Sequence, residues 1–281
     1  MIHAILLLAV PLLQEGQDPD PAAPAETSWE LELLPAKSIY LPYLADPRQP
    51  RTSTKVTLPV RTGKGTMKIE NCLGSQRALA LWKNPRDPDE EAELYIEAAV
   101  FSRFDLGEDW DMDGADYRFG FPFAYRYGGV AVKLHLWHLT SHLGDEYMTR
   151  LKTLDRASYH NDELALGVSW QATPHLRAYG EIGYGIYTGP ATDEGRVQVG
   201  FEAVGGQPLA GGVPFAAVDL STRKEIDWDW NLCVQMGLLY RSKAGGSGFR
   251  FLGEYYRGHD QQTQFKSARD HTLALGVSAE F

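Results

Sequence analysis

Apolar and polar residues alternate along most of this chain, and the alternation is cleanest at its end. Between Asp270 and Phe281, the residues His271, Leu273, Leu275, Val277, Ala279 and Phe281 share one side. Thr272, Ala274, Gly276, Ser278 and Glu280 share the other. A period of two over that length specifies a β-strand with one apolar face and one small, polar face. Arg118 to Tyr127 repeats the pattern: Phe119, Phe121, Phe123, Tyr125 and Tyr127 oppose Arg118, Gly120, Pro122, Ala124 and Arg126. Leu94, Ile96, Ala98 and Val100 oppose Tyr95, Glu97 and Arg103. Trp228, Trp230, Leu232, Val234, Met236, Leu238 and Tyr240 oppose Asp229, Asn231, Cys233 and Gln235. The apolar faces carry aromatic residues near their ends, as membrane-interface girdles do.

Turn chemistry divides the chain into about twelve such strands. They are predicted near 54–62, 69–82, 93–105, 116–127, 129–141, 159–172, 175–187, 195–204, 212–221, 228–241, 248–258 and 270–281. Connections at 106–115, 142–158, 188–194, 222–227 and 259–269 are long and polar, whereas those at Gly128 and at 172–174 on the other side are short, although 83–92 and 205–211 there are longer. An even strand number, with short turns at one end and long loops at the other, is the asymmetry of a bacterial outer-membrane barrel. The predicted fold is therefore all-β, a transmembrane antiparallel β-barrel with lipid outside and a polar lumen. A secreted sandwich or propeller would also alternate, but its apolar faces would meet in a core, and no blade-length repeat is present. The final strand, ending on Phe281, resembles the closing strands of outer-membrane barrels, where that end is the assembly signal. The resemblance implies the barrel assembly machinery as a partner and the outer membrane of a Gram-negative-type bacterium as the location.

Composition agrees. The chain has 14 Tyr, 11 Phe, 7 Trp and 28 Gly, suited to girdles and tight turns. Mean hydropathy is negative, and after the N-terminus no run of 18 apolar residues marks a spanning helix. A net charge of −10 argues against nucleic acid as a partner. Ile5 to Leu13 is a short apolar core, so residues 1–16 read as a signal peptide. Residues 17–40, which include the Pro/Ala-rich acidic stretch Asp18 to Thr27, read as a disordered spacer, and 41–281 as the barrel. Cys72 and Cys233 are too few for a disulfide framework or a zinc site and read as small buried residues.

The inward faces would carry Glu97, Arg103, Arg118, Arg126, Lys133, Glu163, Arg177, Glu181, Arg196, Glu202, Asp219, Arg250 and Glu254. These charges nearly cancel, and about twelve strands enclose only a narrow lumen. Paired charges in such a space predict a plugged, rigid barrel; a small selective channel for a charged solute is the alternative.

One stretch carries candidate chemistry: His138-Leu139-Thr140-Ser141-His142-Leu143-Gly144-Asp145-Glu146, at the outer end of the fifth strand. Together with Leu44-Ala45-Asp46-Pro47-Arg48, Ala217-Val218-Asp219-Leu220, Gly258-His259 and Gln264-Phe265, it resembles domain-of-unknown-function family 1207. That resemblance implies an outer-membrane barrel and no known activity. Val130, Val132, Leu134 and Leu136 mark the lipid face, which His138 and Thr140 continue, while Lys133 and His135 face inward. A histidine two residues from a hydroxyl on the outer wall resembles outer-membrane phospholipase A, which implies a lipid esterase at the barrel's rim.

Such chemistry needs a nucleophile, a base within its reach and a third group orienting the base. His138 would be the base and Thr140 the nucleophile. Ser141 would serve only if a bulge turned it outward. The third member is Asp162 or Asn161, depending on register. A structural aromatic girdle is the competing reading. A loop site for calcium bridging lipopolysaccharide would use Asp145 and Glu146, since hard cations take oxygen ligands. His138 and His142 stand about 13 Å apart on an extended strand, too far for one ion.

Overall fold

The computed structural model describes residues 28–36, 38–60, 65–153, 155–241 and 247–280. A short strand, β1 (Glu30–Leu33), precedes β2 (Thr52–Pro59), β3 (Lys68–Lys83), β4 (Glu90–Asp105), β5 (Asp111–Tyr127) and β6 (Val130–Leu143). After the helix α1 (Asp145–Leu151) come β7 (Tyr159–Thr173), β8 (Leu176–Thr188), β9 (Arg196–Val204), β10 (Val213–Arg223), β11 (Asn231–Arg241), β12 (Gly248–His259) and β13 (Arg269–Glu280). Each of β2 to β13 pairs antiparallel with its chain neighbours, and β13 pairs with β2, so the sheet closes into a barrel. Closure removes the open edges that lipid could not satisfy.

The alternation read from the sequence is the alternation of the wall. Phe121, Leu134, Leu136, Leu164, Leu166, Ile182, Phe201, Leu273 and Leu275 are exposed on the outside. Glu97, Lys133, Glu163, Arg177, Glu181, Glu202, Arg250 and Glu254 are buried inside. Among the described residues no helix is long and apolar enough to cross a membrane; the crossing elements are strands.

Several strand limits differ from expectation, those of β5 and β11 among them. β5 begins at Asp111, not near 116, which shortens the preceding loop to 106–110. β11 begins at Asn231, so Trp228 and Trp230 stand outside it. A 3-10 turn over Lys224–Ile226 ends in left-handed Asp227 and Trp228, with φ of 55° and 59°, and the ladder cannot start until the chain has left that conformation.

The larger difference lies where the expected disordered spacer, 17–40, meets the start of the expected barrel. Glu30–Leu33 pairs with Ala80–Lys83 of β3. From Ser38 the chain then enters the lumen, and Tyr40, Tyr43, Ala45 and Gln49 are buried there. The remainder of that segment, 17–27, the expected signal peptide 1–16 and the terminal Phe281 lie outside the described residues.

Candidate functional site

The lumen is occupied by the chain's own residues 38–51, held by groups from almost every side of the wall. Ile39 N donates to Glu93 at 2.6 Å and Tyr40 N to the Tyr95 hydroxyl at 2.8 Å. Leu44 N donates to Glu202 Oε1 at 2.6 Å. Arg177 donates to the carbonyls of Leu41 and Pro42 at 2.9 and 2.8 Å, and Arg250 to that of Leu44 at 2.9 Å. Tyr43 donates to Glu181 Oε2 at 3.1 Å and shares a 2.6 Å hydrogen bond with Tyr40. Gly167 gives these rings room: a Cβ there would stand 2.9 Å from the Tyr40 hydroxyl and 3.2 Å from that of Tyr43. Among wall charges, Lys133 meets Glu181 at 2.8 Å, Arg118 meets Glu97 at 2.7 Å and Lys55 meets Glu254 at 2.7 Å. Buried charges persist where they are paired and hydrogen-bonded, as they are here.

Toward the long loops a second layer covers the plug. Arg48 of the plug pairs with Asp116 at 2.7 Å, and Asp116 accepts from Thr263 Oγ1 at 2.8 Å. Arg103 binds Asp113 at 2.9 Å and both oxygens of Asp260 at 2.7 Å. Burial pushes the Asp260 carboxyl up to about 6, opposed by the Arg103 charge and helped by that of Asp270. Gln264 donates to the carbonyls of Ser141 and Ala157, each at 2.9 Å, and its own oxygen accepts from Ala157 N at 2.9 Å.

On the outer wall β6 and β7 set His138 directly opposite Asp162. His138 Nδ1 is hydrogen-bonded to Asp162 Oδ1, and each side chain is 35% exposed. A carboxylate on Nδ1 fixes the tautomer and leaves Nε2 facing outward as a base. Asn161 points into the lumen, so Asp162 is the acid that meets the histidine. Thr140 lies on the same face as His138, and the two border one shallow wall depression with Phe119 and Tyr117. Among the described residues no hydroxyl hydrogen-bonds to His138. Ser141 is 5% exposed and faces inward. The register of β6 with β5 runs past it, and that with β7 reaches it, without a bulge, so it is not available to lipid as a nucleophile. Phe119 and His138 ring centroids are 5.7 Å apart, Tyr117 and His142 also 5.7 Å, and His160 and Tyr187 5.1 Å, a girdle that continues around the rim.

Asp145 and Glu146 are exposed in the first turn of α1, where carboxylates complement the helix dipole. Arg150 from the same helix donates to nearby Asp111 at 3.0 Å. Among the described residues no three His, Cys, Asp or Glu side chains converge as a metal site would need.

The model for the proteins of unknown function designated DUF1207 matches residues 18–281. The chain belongs to that family. In fold it is similar to outer membrane phospholipase A from Escherichia coli, with a TM-score of 0.54, 12% identity, and coverage of 86% of this chain and 94% of that one. The Salmonella typhi outer membrane phospholipase, a dimer with bound calcium, superposes with a TM-score of 0.51 at 12% identity over the same shares. At such identities the likeness is one of fold alone. A search of the curated proteins returns no match.

The segments that carry the DUF1207 resemblance are far apart in sequence, and several of them contribute residues to the lumenal network. Asp46, Pro47 and Arg48 form part of the plug surface beneath the long loops. Ser141 and Gln264 are joined by a hydrogen bond, and His259 N donates to Asn231 Oδ1 at 2.7 Å. Asp219 takes hydrogen bonds from Tyr179 at 2.6 Å and Gln198 at 2.7 Å. Asp113, Asp116, Tyr40 and Tyr43, which complete this inner network, were not singled out by sequence reasoning. The available signal was composition: Ile39 to Leu44 carries Ile, two Tyr and two Leu without a strand's alternation, which suits a buried irregular segment.

Proposed function

We propose that this DUF1207 protein is a Gram-negative outer-membrane barrel whose lumen is sealed, so that it serves as a structural element of the membrane and not as a solute pore. The plug carries this reading: residues 38–51 bind Glu93, Tyr95, Arg177, Glu202 and Arg250, so the segment is tied across the lumen to β4, β8, β9 and β12. Lipid and lipopolysaccharide are the partners its apolar belt fits, and β13 is the strand the assembly machinery would engage. The test is single-channel recording of purified protein in planar bilayers. No discrete steps are expected, and large stable steps would sink the sealed-barrel reading.

The His138–Asp162 contact favours a second reading, a lipid esterase on the outer wall. Support for it is partial, because the base and its orienting acid are present while Thr140 makes no hydrogen bond to the imidazole. Its test is fatty-acid release from phospholipid vesicles with calcium supplied. Equal release by the wild type and His138→Ala would eliminate this reading and leave the first untouched.

A further inference from the structure

We propose that the cavity between the plug and the long loops binds a small neutral polyol entering from the outer side. The cavity measures about 80 Å³, and its floor is the plug surface at Asp46, Pro47 and Arg48. Asp193, in the outer loop 189–195, also lines it and has a half-exposed side chain, so the mouth opens on that side.

Its inner wall contains two buried polar groups without protein partners. Trp137 Nε1 is an orphan donor and Asn161 Oδ1 an orphan acceptor. Their residues are 7% and 5% exposed, and both line the cavity. Trp137 pairs with Glu163 and Asn161 with Leu139, so the two are diagonal neighbours on β6 and β7. Such positions stand about 7–8 Å apart along the wall, close enough for both side chains to face one small solute. Buried polar groups in native proteins are almost always satisfied by protein, water or ligand, and a solute that accepts from the indole and donates to the amide would satisfy both.

The surroundings select its class. Trp137, Leu139 and Tyr159 pack into a buried apolar patch on this lumenal wall, suited to methylene groups. The cations beside it are already matched: Arg118 with Glu97, Arg196 with Glu163 and Arg223 with Glu225, at 2.7 to 2.8 Å. A charged solute would bring an unmatched charge into that arrangement, whereas a hydroxyl both donates and accepts. Size limits the solute to a few heavy atoms, since an engineered cavity of about 150 Å³ takes one benzene.

The proposal goes beyond the sealed-barrel reading and is tested separately from it. Glycerol would be titrated into detergent-folded full-length protein prepared without glycerol, with binding read by saturation-transfer NMR. Glycine and inorganic phosphate would be run as zwitterionic and anionic comparisons. Saturable glycerol binding is expected, tighter than that of either comparison. It should weaken at least threefold in Asn161→Leu and in Trp137→Phe, each checked for heat-modifiable folding. Asn161→Ser replaces the first variant if it does not fold. No glycerol binding, equal affinity in the wild type and folded variants, or a preference for glycine or phosphate would overturn the proposal.

Discussion

Tyr43 of the plug lies flat on Tyr179 of β8, with ring centroids 3.8 Å apart and planes 8° from parallel. The wall makes space for this stack at Gly200, where a Cβ would stand 2.1 Å from the Tyr179 ring. Tyr179 passes the contact on to Asp219 on β10 through its hydroxyl. The plug is thus keyed into β8, β9 and β10 by ring packing as well as by backbone hydrogen bonds, and its removal should be felt across the barrel.

Replacing Tyr43 with Ala tests that coupling. The substitution deletes the stack and the donor to Glu181, leaving a buried carboxylate with one partner fewer. A loss of about 3–5 kcal/mol is expected for truncating a packed aromatic. Thermal unfolding should therefore move down, and intermittent conductance should appear in planar bilayers where none is expected of the wild type. An unchanged melting curve would show that the stack contributes little to holding the plug.

The sidedness of β13 gives a paired test. Leu275 is 74% exposed on the outside and Ala274 is buried against the lumen. Leu275→Arg should cost about 2–4 kcal/mol if the position meets mid-bilayer lipid. Ala274→Ser, opposite Glu254 across the ladder, should cost far less because that side is polar. Refolding yields into lipid vesicles would separate the two, and similar losses at both would contradict the assigned faces.

The barrel was legible from the sequence because each strand reports its own sidedness. Arg118 to Tyr127 and Asp270 to Phe281 need no distant partner to declare two faces. The plug was not legible for the opposite reason. Leu41-Pro42-Tyr43 has no period, and its order comes from residues such as Arg177 and Glu202, more than 130 positions away. Trp228 and Trp230 show the limit of the period itself: the alternation runs on past the residue where hydrogen bonding begins. At the rim, strand periodicity already turned Ser141 inward, and only the register could choose Asp162 over Asn161.

Ser141 and Thr140 are distinguished by a simple pair of variants. The Ser141 hydroxyl is buried without a hydrogen-bond partner, so Ser141→Ala should leave stability unchanged or slightly raised. It should leave any fatty-acid release intact as well. Thr140→Ala should abolish release if the rim is an esterase, and Thr140→Ser should preserve or raise it by relieving the crowded nucleophile. Release lost in Ser141→Ala but kept in Thr140→Ala would mean that β6 rearranges when lipid binds.

The loop 260–268 should tighten as the pH falls. Burial holds the Asp260 carboxyl at about 6 in the folded protein, against an ordinary value of 3.8. The folded state therefore binds this proton more strongly than the unfolded chain does. Its contribution to stability is fully present below the unfolded value and is lost as the pH rises through the folded one, a window of roughly pH 4 to 6. Arg103 keeps Asp113 as a partner when Asp260 is protonated, so the neutral acid does not strand the guanidinium. Hydrogen exchange in the loop, corrected for intrinsic rates, should be slower at pH 4.5 than at pH 7. Asp260→Asn, uncharged throughout, should flatten the dependence. A loop that loosens on acidification in the wild type would mean that the ion pair with Arg103 outweighs the burial of Asp260.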